Sequence, residues 1–179
     1  IGCGACEAAC PTGAAPGRGR CESCGICAGA CPTGARAVAG TTMTVEQVVD
    51  EVVRDLDFYD GGGGVTFSGG EPLAQPGFLL ACLEACRGRG LNTALDTCGW
   101  AEEAALLAAA ALSDLVLYDV KAADPEVHRR WTGVANDLIL RNLEALARAH
   151  DNVWLRVPVV PGVNDDGKEA AAIAALAGR

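Results

Sequence analysis

The chain has 179 residues, enough for one domain of ordinary size or for one domain with a small insert. Hydrophobic residues make up 50% of it, so a core can be buried and wholesale disorder is excluded. The formal net charge of −9 argues against a nucleic-acid-binding module, which usually presents a basic face. Cysteine is the outlier in this composition, because there are ten cysteines and most of them lie near the start of the chain.

Two cysteine-rich segments at the start of the chain have the spacing of iron–sulfur proteins. The second is a full C-x2-C-x2-C-x3-C-P run, the bacterial ferredoxin pattern, and the first is the same run without its leading cysteine. The sequence CPTGA closes both runs, which indicates an internal duplication. The predicted ligands of two [4Fe–4S] clusters are Cys3, Cys6, Cys10, Cys21, Cys24, Cys27 and Cys31.

The spacing also predicts how these ligands are shared, because the fourth cysteine of each run ligates the other cluster. One cluster is expected to take Cys10, Cys21, Cys24 and Cys27. The other is expected to take Cys3, Cys6, Cys31 and a residue that the spacing places one position before Ile1. Disulfides and zinc are the alternatives, but disulfides need an oxidising compartment and zinc usually takes two separated C-x2-C pairs or Cys/His mixtures.

The ends of the chain favour a fragment of a longer protein. The first residue is Ile1, the first cysteine run lacks a ligand, and Arg179 lies in an Ala-rich helical pattern with no stop signal.

The longest apolar run, Ala104 to Leu112, is much shorter than the about 18 residues of a membrane span. No signal segment opens the chain, so secretion is unsupported. The predicted iron–sulfur clusters imply a reducing, low-oxygen cytoplasm, and the short apolar runs and the negative charge predict no membrane or nucleic-acid partner.

From residue 44 onward the pattern alternates between helices and strands. A capping box at Thr44 opens the first helix, over 44–59. Further helices are predicted over 76–87, 101–112, 136–149 and from 166 onward, and strands over 65–68, 91–96, 115–120 and 153–160. This alternation predicts a parallel sheet, and a Rossmann sheet and a β/α barrel fit it equally well. Polar and glycine-rich segments follow the strands at 68–72, 96–99 and 119–121, where both architectures place chemistry.

Four segments of this body resemble the activating enzymes of glycyl-radical enzymes, which belong to the radical S-adenosylmethionine (radical SAM) superfamily. They are TFSGGEPL at 66–73, LDTCGW at 95–100, LYDVKAADPEVHRRWTG at 117–133 and LRVPVVPGVND at 155–165. The cysteine-rich head resembles the subgroup with two additional clusters. The resemblance implies a ferredoxin-like α+β domain over residues 1–40, followed by a partial radical-SAM β/α barrel over 41–179.

The resemblance also implies a SAM site. Gly69, Gly70 and Glu71 match the GGE motif, whose backbone carbonyls and carboxylate accept from the SAM amino group. Lys121 matches the lysine of a D-x-K motif, a point charge suited to the SAM carboxylate. A tight turn is the structural alternative for the GGE segment.

Three further residues are assigned by the same resemblance. Asp96 and Asp119 match aspartates that help hold a monovalent cation beside the SAM carboxylate, and Arg156 lies at a strand position near the SAM-binding face in relatives. The residues alone leave other roles open. Asp119 can form a structural ion pair with Lys121, Asp96 can cap the next helix, and Arg156 can serve packing or lie on the surface.

The implied reaction is reductive cleavage of SAM to methionine and a 5′-deoxyadenosyl radical, which removes hydrogen from a backbone glycine of a partner. The two ferredoxin-type clusters relay electrons to a third [4Fe–4S] cluster that binds SAM. The C-x3-C-x2-C loop that holds this third cluster is not in the chain, so the chain alone is expected to be inactive. The implied partners are a glycyl-radical enzyme and a flavodoxin or ferredoxin-type electron donor.

Two other functions fit part of the sequence. A ferredoxin electron carrier fused to an unrelated α/β domain explains the head, but not GGE, D-x-K and VPGVND in this order. A radical-SAM enzyme with auxiliary clusters, acting on a small molecule or peptide, usually carries its extra cysteines after the barrel.

Five residues of the body are predicted to take no part in the chemistry. Cys82 and Cys86 share a helix face and are predicted core residues, and Cys98 follows a strand end without a ligand pattern. His128 and His150 are predicted to lie on the surface of helices.

Overall fold

The computed structural model describes residues 1–14, 21–22, 24–59 and 61–178, and Arg179 lies outside the described residues. Two compact units divide the chain, Ile1–Met43 and Thr44–Arg179. Every predicted ligand cysteine and every predicted SAM residue falls within the described ranges.

The first unit contains the same short element twice. Helix α1, Ala5–Ala8, follows Gly4 (φ 74°), and helix α2, Ile26–Gly29, follows Gly25 (φ 77°). These left-handed backbone conformations favour glycine at both helix starts. The duplication seen in the sequence is therefore a structural repeat, in which each short helix carries one cysteine of its run, Cys6 or Cys27.

The second unit is built on a parallel sheet of four strands, confirming the predicted sheet. The strands are β1 Gly64–Phe67, β2 Asn92–Thr97, β3 Leu115–Asp119 and β4 Val153–Arg156. Neighbours pair in parallel in the order β1-β2-β3-β4. Among the described strands, neighbours in the sheet follow one another in sequence, as they do in a β/α barrel. A doubly wound sheet instead reverses its strand order at one point, and no such reversal occurs among these strands.

Helices connect and flank the strands close to the predicted positions. They are α3 Val45–Val53, α4 Pro76–Arg87, α5 Glu103–Ala111, α6 Pro125–Thr132, α7 Asp137–Ala149 and α8 Gly167–Ala177. The capping box at Thr44 is confirmed, because its hydroxyl accepts from the Gln47 amide and the Gln47 side chain accepts from the Thr44 amide. Among the described helices, none has the length and apolar character that a membrane crossing requires.

Two predicted boundaries were wrong, and one helix was missed. Helix α3 ends at Val53 and is followed by a 3-10 turn, Leu56–Phe58, rather than continuing to residue 59. Strand β4 ends at Arg156, before two prolines that cannot donate to a strand ladder. Helix α6 was not predicted; Asp124 caps it by accepting from the first backbone amides.

The core lies between one face of the sheet and the helices α4, α5 and α7. Its fully buried side chains include Leu83, Leu95, Leu106, Val116 and Leu146. Cys82 and Cys86 are also buried, which confirms their prediction as core residues. The opposite face of the sheet is more open, since its residues in β2, β3 and β4 are half-buried or exposed.

The prediction of two surface histidines was wrong for His128. Its side chain is buried, and its Nδ1 atom lies 2.7 Å from the Val134 carbonyl oxygen, which follows the end of α6. His150 is half-buried, with Nε2 2.9 Å from the Ser113 carbonyl oxygen. Both imidazoles bond to backbone carbonyls and so serve structure.

Candidate functional site

The carboxyl ends of the strands bring three predicted SAM residues onto one face of the sheet. Asp119 in β3 pairs directly with Arg156 in β4, and Asp96 in β2 pairs with Leu117, two residues before Asp119. Because side chains two residues apart in a strand share a face, Asp96, Asp119 and Arg156 all lie on the open face.

An ion-pair network joins these residues with Lys121 and Ser68. Arg156 bridges the aspartates, with Nη2 2.6 Å from Oδ1 of Asp96 and Nε 2.9 Å from Oδ1 of Asp119. Lys121 Nζ lies 3.0 Å from Oδ2 of Asp119. The Ser68 hydroxyl donates to Oδ2 of Asp96 at 3.3 Å. Two carboxylates thus face two side-chain cations, and each carboxylate oxygen has a donor.

This pairing shifts the pKa of two members in the directions that favour charge. Burial would raise the pKa of Asp119, but hydrogen bonds from Arg156 and Lys121 outweigh burial and hold it below its ordinary value. The pKa of Arg156 is raised, mainly by its hydrogen bond to Asp119. The guanidinium of Arg156 therefore contacts both aspartates that the resemblance assigns to a monovalent cation.

We expect Arg156→Met to destabilise the protein by about 1 kcal/mol at pH 7, a value kept small because the side chain is 43% exposed. Since the folded pKa of Asp119 is depressed, its contribution is present above the unfolded pKa and is lost as pH falls through the folded value. Urea titrations from pH 7 to pH 3 should therefore show the difference between variant and parent shrinking in acid. The matched control is Arg148→Met, whose side chain is 79% exposed. If the stability difference between Arg156→Met and the parent stays constant with pH, the ion pair between Arg156 and Asp119 does not contribute as described.

The Glu71 carboxylate joins the loop after β1 to the end of β2. Oε1 accepts from the Thr97 hydroxyl at 2.7 Å and from the Leu73 amide at 3.1 Å. Oε2 accepts from the amide and the thiol of Cys98, both at 3.0 Å. A carboxylate has about four lone-pair positions. All four are thus used by donors of this chain.

Cys98 is therefore a hydrogen-bond donor rather than an isolated thiol. Burial raises its pKa, and the hydrogen bond to the Glu71 carboxylate raises it further. A cysteine held as a neutral thiol is a poor metal ligand, since the thiolate binds metals. The geometry agrees with the prediction that Cys98 is not a cluster ligand.

The two glycines before Glu71 leave their backbone open to a ligand. Gly69 has φ 130°, a conformation that L side chains rarely adopt, and both Gly69 and Gly70 are exposed. A Cβ at either position would meet no atom within 4 Å. Gly69 is therefore needed for its backbone conformation, whereas a side chain at either position would have room within the unit.

Three buried polar residues support the loops of the site and were missed by sequence reasoning. The Asn142 amide donates to the Gly99 carbonyl oxygen at 2.8 Å, and the Asn164 amide donates to the Lys121 carbonyl oxygen at 2.8 Å. The carboxylate of Glu169 accepts from backbone amides of the loop that follows Lys121. The signal that could have identified them is a polar residue at a buried helix or loop position next to a motif.

In the first unit, four predicted ligands line one cavity of about 420 Å³, namely Cys10, Cys21, Cys24 and Cys27. They are the same four cysteines that the spacing assigns to a single cluster. Four cysteines lining one cavity supply the number and type of ligands that a [4Fe–4S] cluster takes, so the residue set fits this group. Among the described residues of both units, no group of three or more Cys, His, Asp or Glu side chains is placed to hold a metal ion.

The last cysteine of each run has a lowered pKa. The hydroxyl of Thr12 and backbone hydrogen bonds of the same turn lower the pKa of Cys10. The hydroxyl of Thr33, together with nearby backbone hydrogen bonds, lowers the pKa of Cys31 to about 7. A lowered pKa favours the thiolate, which is the form that binds metals. The remaining predicted ligands differ in exposure, with Cys3 exposed and Cys6 half-buried.

A comparison with protein families identifies the body of the chain. The family model described as "Radical SAM superfamily" matches residues 19–173. This chain belongs to the radical SAM superfamily. The predicted resemblance to activating enzymes of glycyl-radical enzymes is also confirmed, because curated relatives of this chain are named as such activating enzymes.

One such relative is the choline trimethylamine-lyase activating enzyme of Oleidesulfovibrio alaskensis, 43% identical over 92% of this chain and 57% of the relative. A second is the trans-4-hydroxy-L-proline dehydratase activating enzyme of Clostridioides difficile, 40% identical over 73% of this chain and 44% of the relative. The chain thus spans about half of each relative's length.

A solved structure is similar to this radical SAM chain in fold and sequence. It is a crystal structure of a domain of pyruvate-formate lyase-activating enzyme from Bacteroides vulgatus. The TM-score is 0.60 at 39% sequence identity, over 64% of this chain and 71% of that one. The likeness agrees with the parallel α/β sheet described above.

Proposed function

We propose that the whole protein to which this radical SAM chain belongs activates a glycyl-radical enzyme. One electron enters the sulfonium of SAM, the bond between sulfur and the 5′ carbon breaks, and methionine and a 5′-deoxyadenosyl radical form. That radical takes a hydrogen atom from a backbone glycine of the partner. The observation that carries the proposal is the convergence of the GGE loop, Asp96, Asp119, Lys121 and Arg156 at one edge of the sheet.

Each part of this edge suits one part of SAM. Lys121 supplies a positive charge for the SAM carboxylate, and its side chain is 42% exposed and therefore accessible. The carbonyls of Gly69 and Gly70 accept from the SAM amino group, because their backbone is open. Glu71 acts as a positioning residue, since its carboxylate already accepts four donors of the chain.

The head is proposed to hold two [4Fe–4S] clusters, which when bound supply single electrons. Cys10, Cys21, Cys24 and Cys27 hold the cluster in the cavity. Cys3, Cys6 and Cys31 contribute to the second cluster. In the whole protein a third cluster would bind SAM, and a flavodoxin or ferredoxin-type protein in the cytoplasm would supply the electrons.

The test is anaerobic turnover of the whole, iron-loaded protein with SAM and dithionite. We expect 5′-deoxyadenosine and methionine in equal amounts, measured by liquid chromatography. Lys121→Met should lower the rate about tenfold or more, because the SAM carboxylate loses its cation. A fully loaded protein that binds SAM but forms no 5′-deoxyadenosine would contradict the proposed function.

A further inference from the structure

The two CPTGA segments place a threonine hydroxyl beside a cysteine sulfur in the same way. Oγ1 of Thr12 lies 3.4 Å from Sγ of Cys10, and Oγ1 of Thr33 lies 3.7 Å from Sγ of Cys31. Both distances are in the range of a hydrogen bond that involves sulfur. Because the second copy repeats the contact of the first, the hydroxyl position belongs to the motif rather than to one chance rotamer.

A backbone turn fixes each hydroxyl. The Gly13 amide donates to the Cys10 carbonyl oxygen at 3.2 Å, and the Gly34 amide donates to the Cys31 carbonyl oxygen at 3.3 Å. Each segment is therefore a four-residue turn with proline second, threonine third and glycine fourth, a favourable order for a type I turn. The turn holds the threonine backbone in place, and its short side chain then reaches back to the sulfur.

Ligation to iron determines which partner donates. A thiol can donate or accept, but a thiolate that binds iron has no proton, so the threonine hydroxyl must then be the donor. Hydrogen bonds to the sulfurs of a cluster help set its reduction potential. They stabilise the reduced cluster more than the oxidised cluster, because reduction adds negative charge, and they therefore raise the potential.

We propose that Thr12 and Thr33 are positioning residues that raise the reduction potentials of the two clusters. This inference rests on the cluster ligation proposed above. Thr12 lines the cavity and acts on the cluster that Cys10 ligates there. Thr33 acts on the other cluster, to which Cys31 belongs. Each threonine therefore acts on the cluster bound mainly by the other cysteine run.

The experiment is an EPR-monitored redox titration of the whole protein after anaerobic reconstitution. Thr12→Val and Thr33→Val remove the hydroxyl at nearly constant shape, and Thr12→Ser and Thr33→Ser retain it. We expect each valine variant to shift the midpoint of one cluster to a more negative potential, a different cluster in each case. Both serine variants should titrate like the parent, with iron and sulfide contents unchanged throughout.

Each of the other possible results would overturn one specific part of the proposal. Unchanged midpoints in iron-loaded valine variants overturn this inference and leave the clusters standing. A loss of iron with unchanged midpoints in the remaining cluster shows a purely structural role and also overturns it. Shifts of the same cluster in both variants overturn the assignment of one threonine to each cluster. A parent protein that binds no iron overturns the proposed clusters themselves.

Discussion

Gly99→Ala is expected to lower the free energy of unfolding by about 4 kcal/mol. A Cβ at this position would lie 1.7 Å from the hydroxyl oxygen of Tyr118 and 2.3 Å from its Cζ atom. Tyr118 is fully buried, and its hydroxyl donates to the Ile139 carbonyl oxygen at 2.7 Å, so the ring has little room to move. Overpacking costs about 1–3 kcal/mol, and the left-handed backbone at Gly99 (φ 71°) adds about 1 kcal/mol or more.

Gly133→Ala is the matched control for this variant. Gly133 also has a positive φ, 88°, but a Cβ there would meet no atom within 4 Å. Only backbone strain is added, so a loss of about 1 kcal/mol is expected. Urea unfolding of both variants measures the difference, and equal losses would contradict the packing of Tyr118 against Gly99.

Glu71→Gln is expected to cost about 3 kcal/mol of stability and to abolish SAM cleavage. The carboxylate accepts two backbone amides, a hydroxyl and a thiol, whereas one end of a glutamine amide only donates. Two of the donors then lose their acceptor, and hydrogen bonds to charged groups are worth about 1.5–3 kcal/mol. Denaturant unfolding and formation of 5′-deoxyadenosine by the whole protein measure the two effects.

Two controls separate positioning from direct binding. Thr97→Val removes a single donor to Glu71 and should cost about 1 kcal/mol. Glu103→Gln changes an exposed glutamate in α5 and should leave both readouts unchanged. If Glu71→Gln retains full stability but loses SAM affinity, the carboxylate acts on SAM directly and the positioning role is wrong.

The sequence predicted the elements of the sheet better than their arrangement. Alternating strand and helix patterns located all four strands, because apolar periodicity reports burial of one face. Strand order is a long-range property, so the alternation pattern left a Rossmann sheet and a barrel-type order open. The family resemblance favoured the barrel, and the observed strand order agrees with it. Helix α6 was missed because its eight residues are mostly polar and its start depends on the Asp124 cap.

The candidate site was predictable in its residues but not in its bonds. Segments at strand ends contained Asp96 and Asp119, and the family resemblance assigned Asp96, Asp119 and Arg156 to the site. The strand register that places Asp119 opposite Arg156 depends on pairing across 37 positions, which local patterns do not report. The hydroxyl of Thr97 and the thiol of Cys98 were missed as partners of the GGE loop for the same reason.

Binding of SAM at the carboxyl edge of the sheet is tested most directly by measuring SAM affinity. Lys121→Met and Lys168→Met each remove one lysine, but Lys121 pairs with Asp119 at the site, whereas Lys168 is 88% exposed beside Asp124. Isothermal titration of SAM into the anaerobic whole protein should show about tenfold weaker binding for Lys121→Met, or about 1.4 kcal/mol, and parental binding for Lys168→Met. Equal SAM affinity in both variants and the parent would contradict the account.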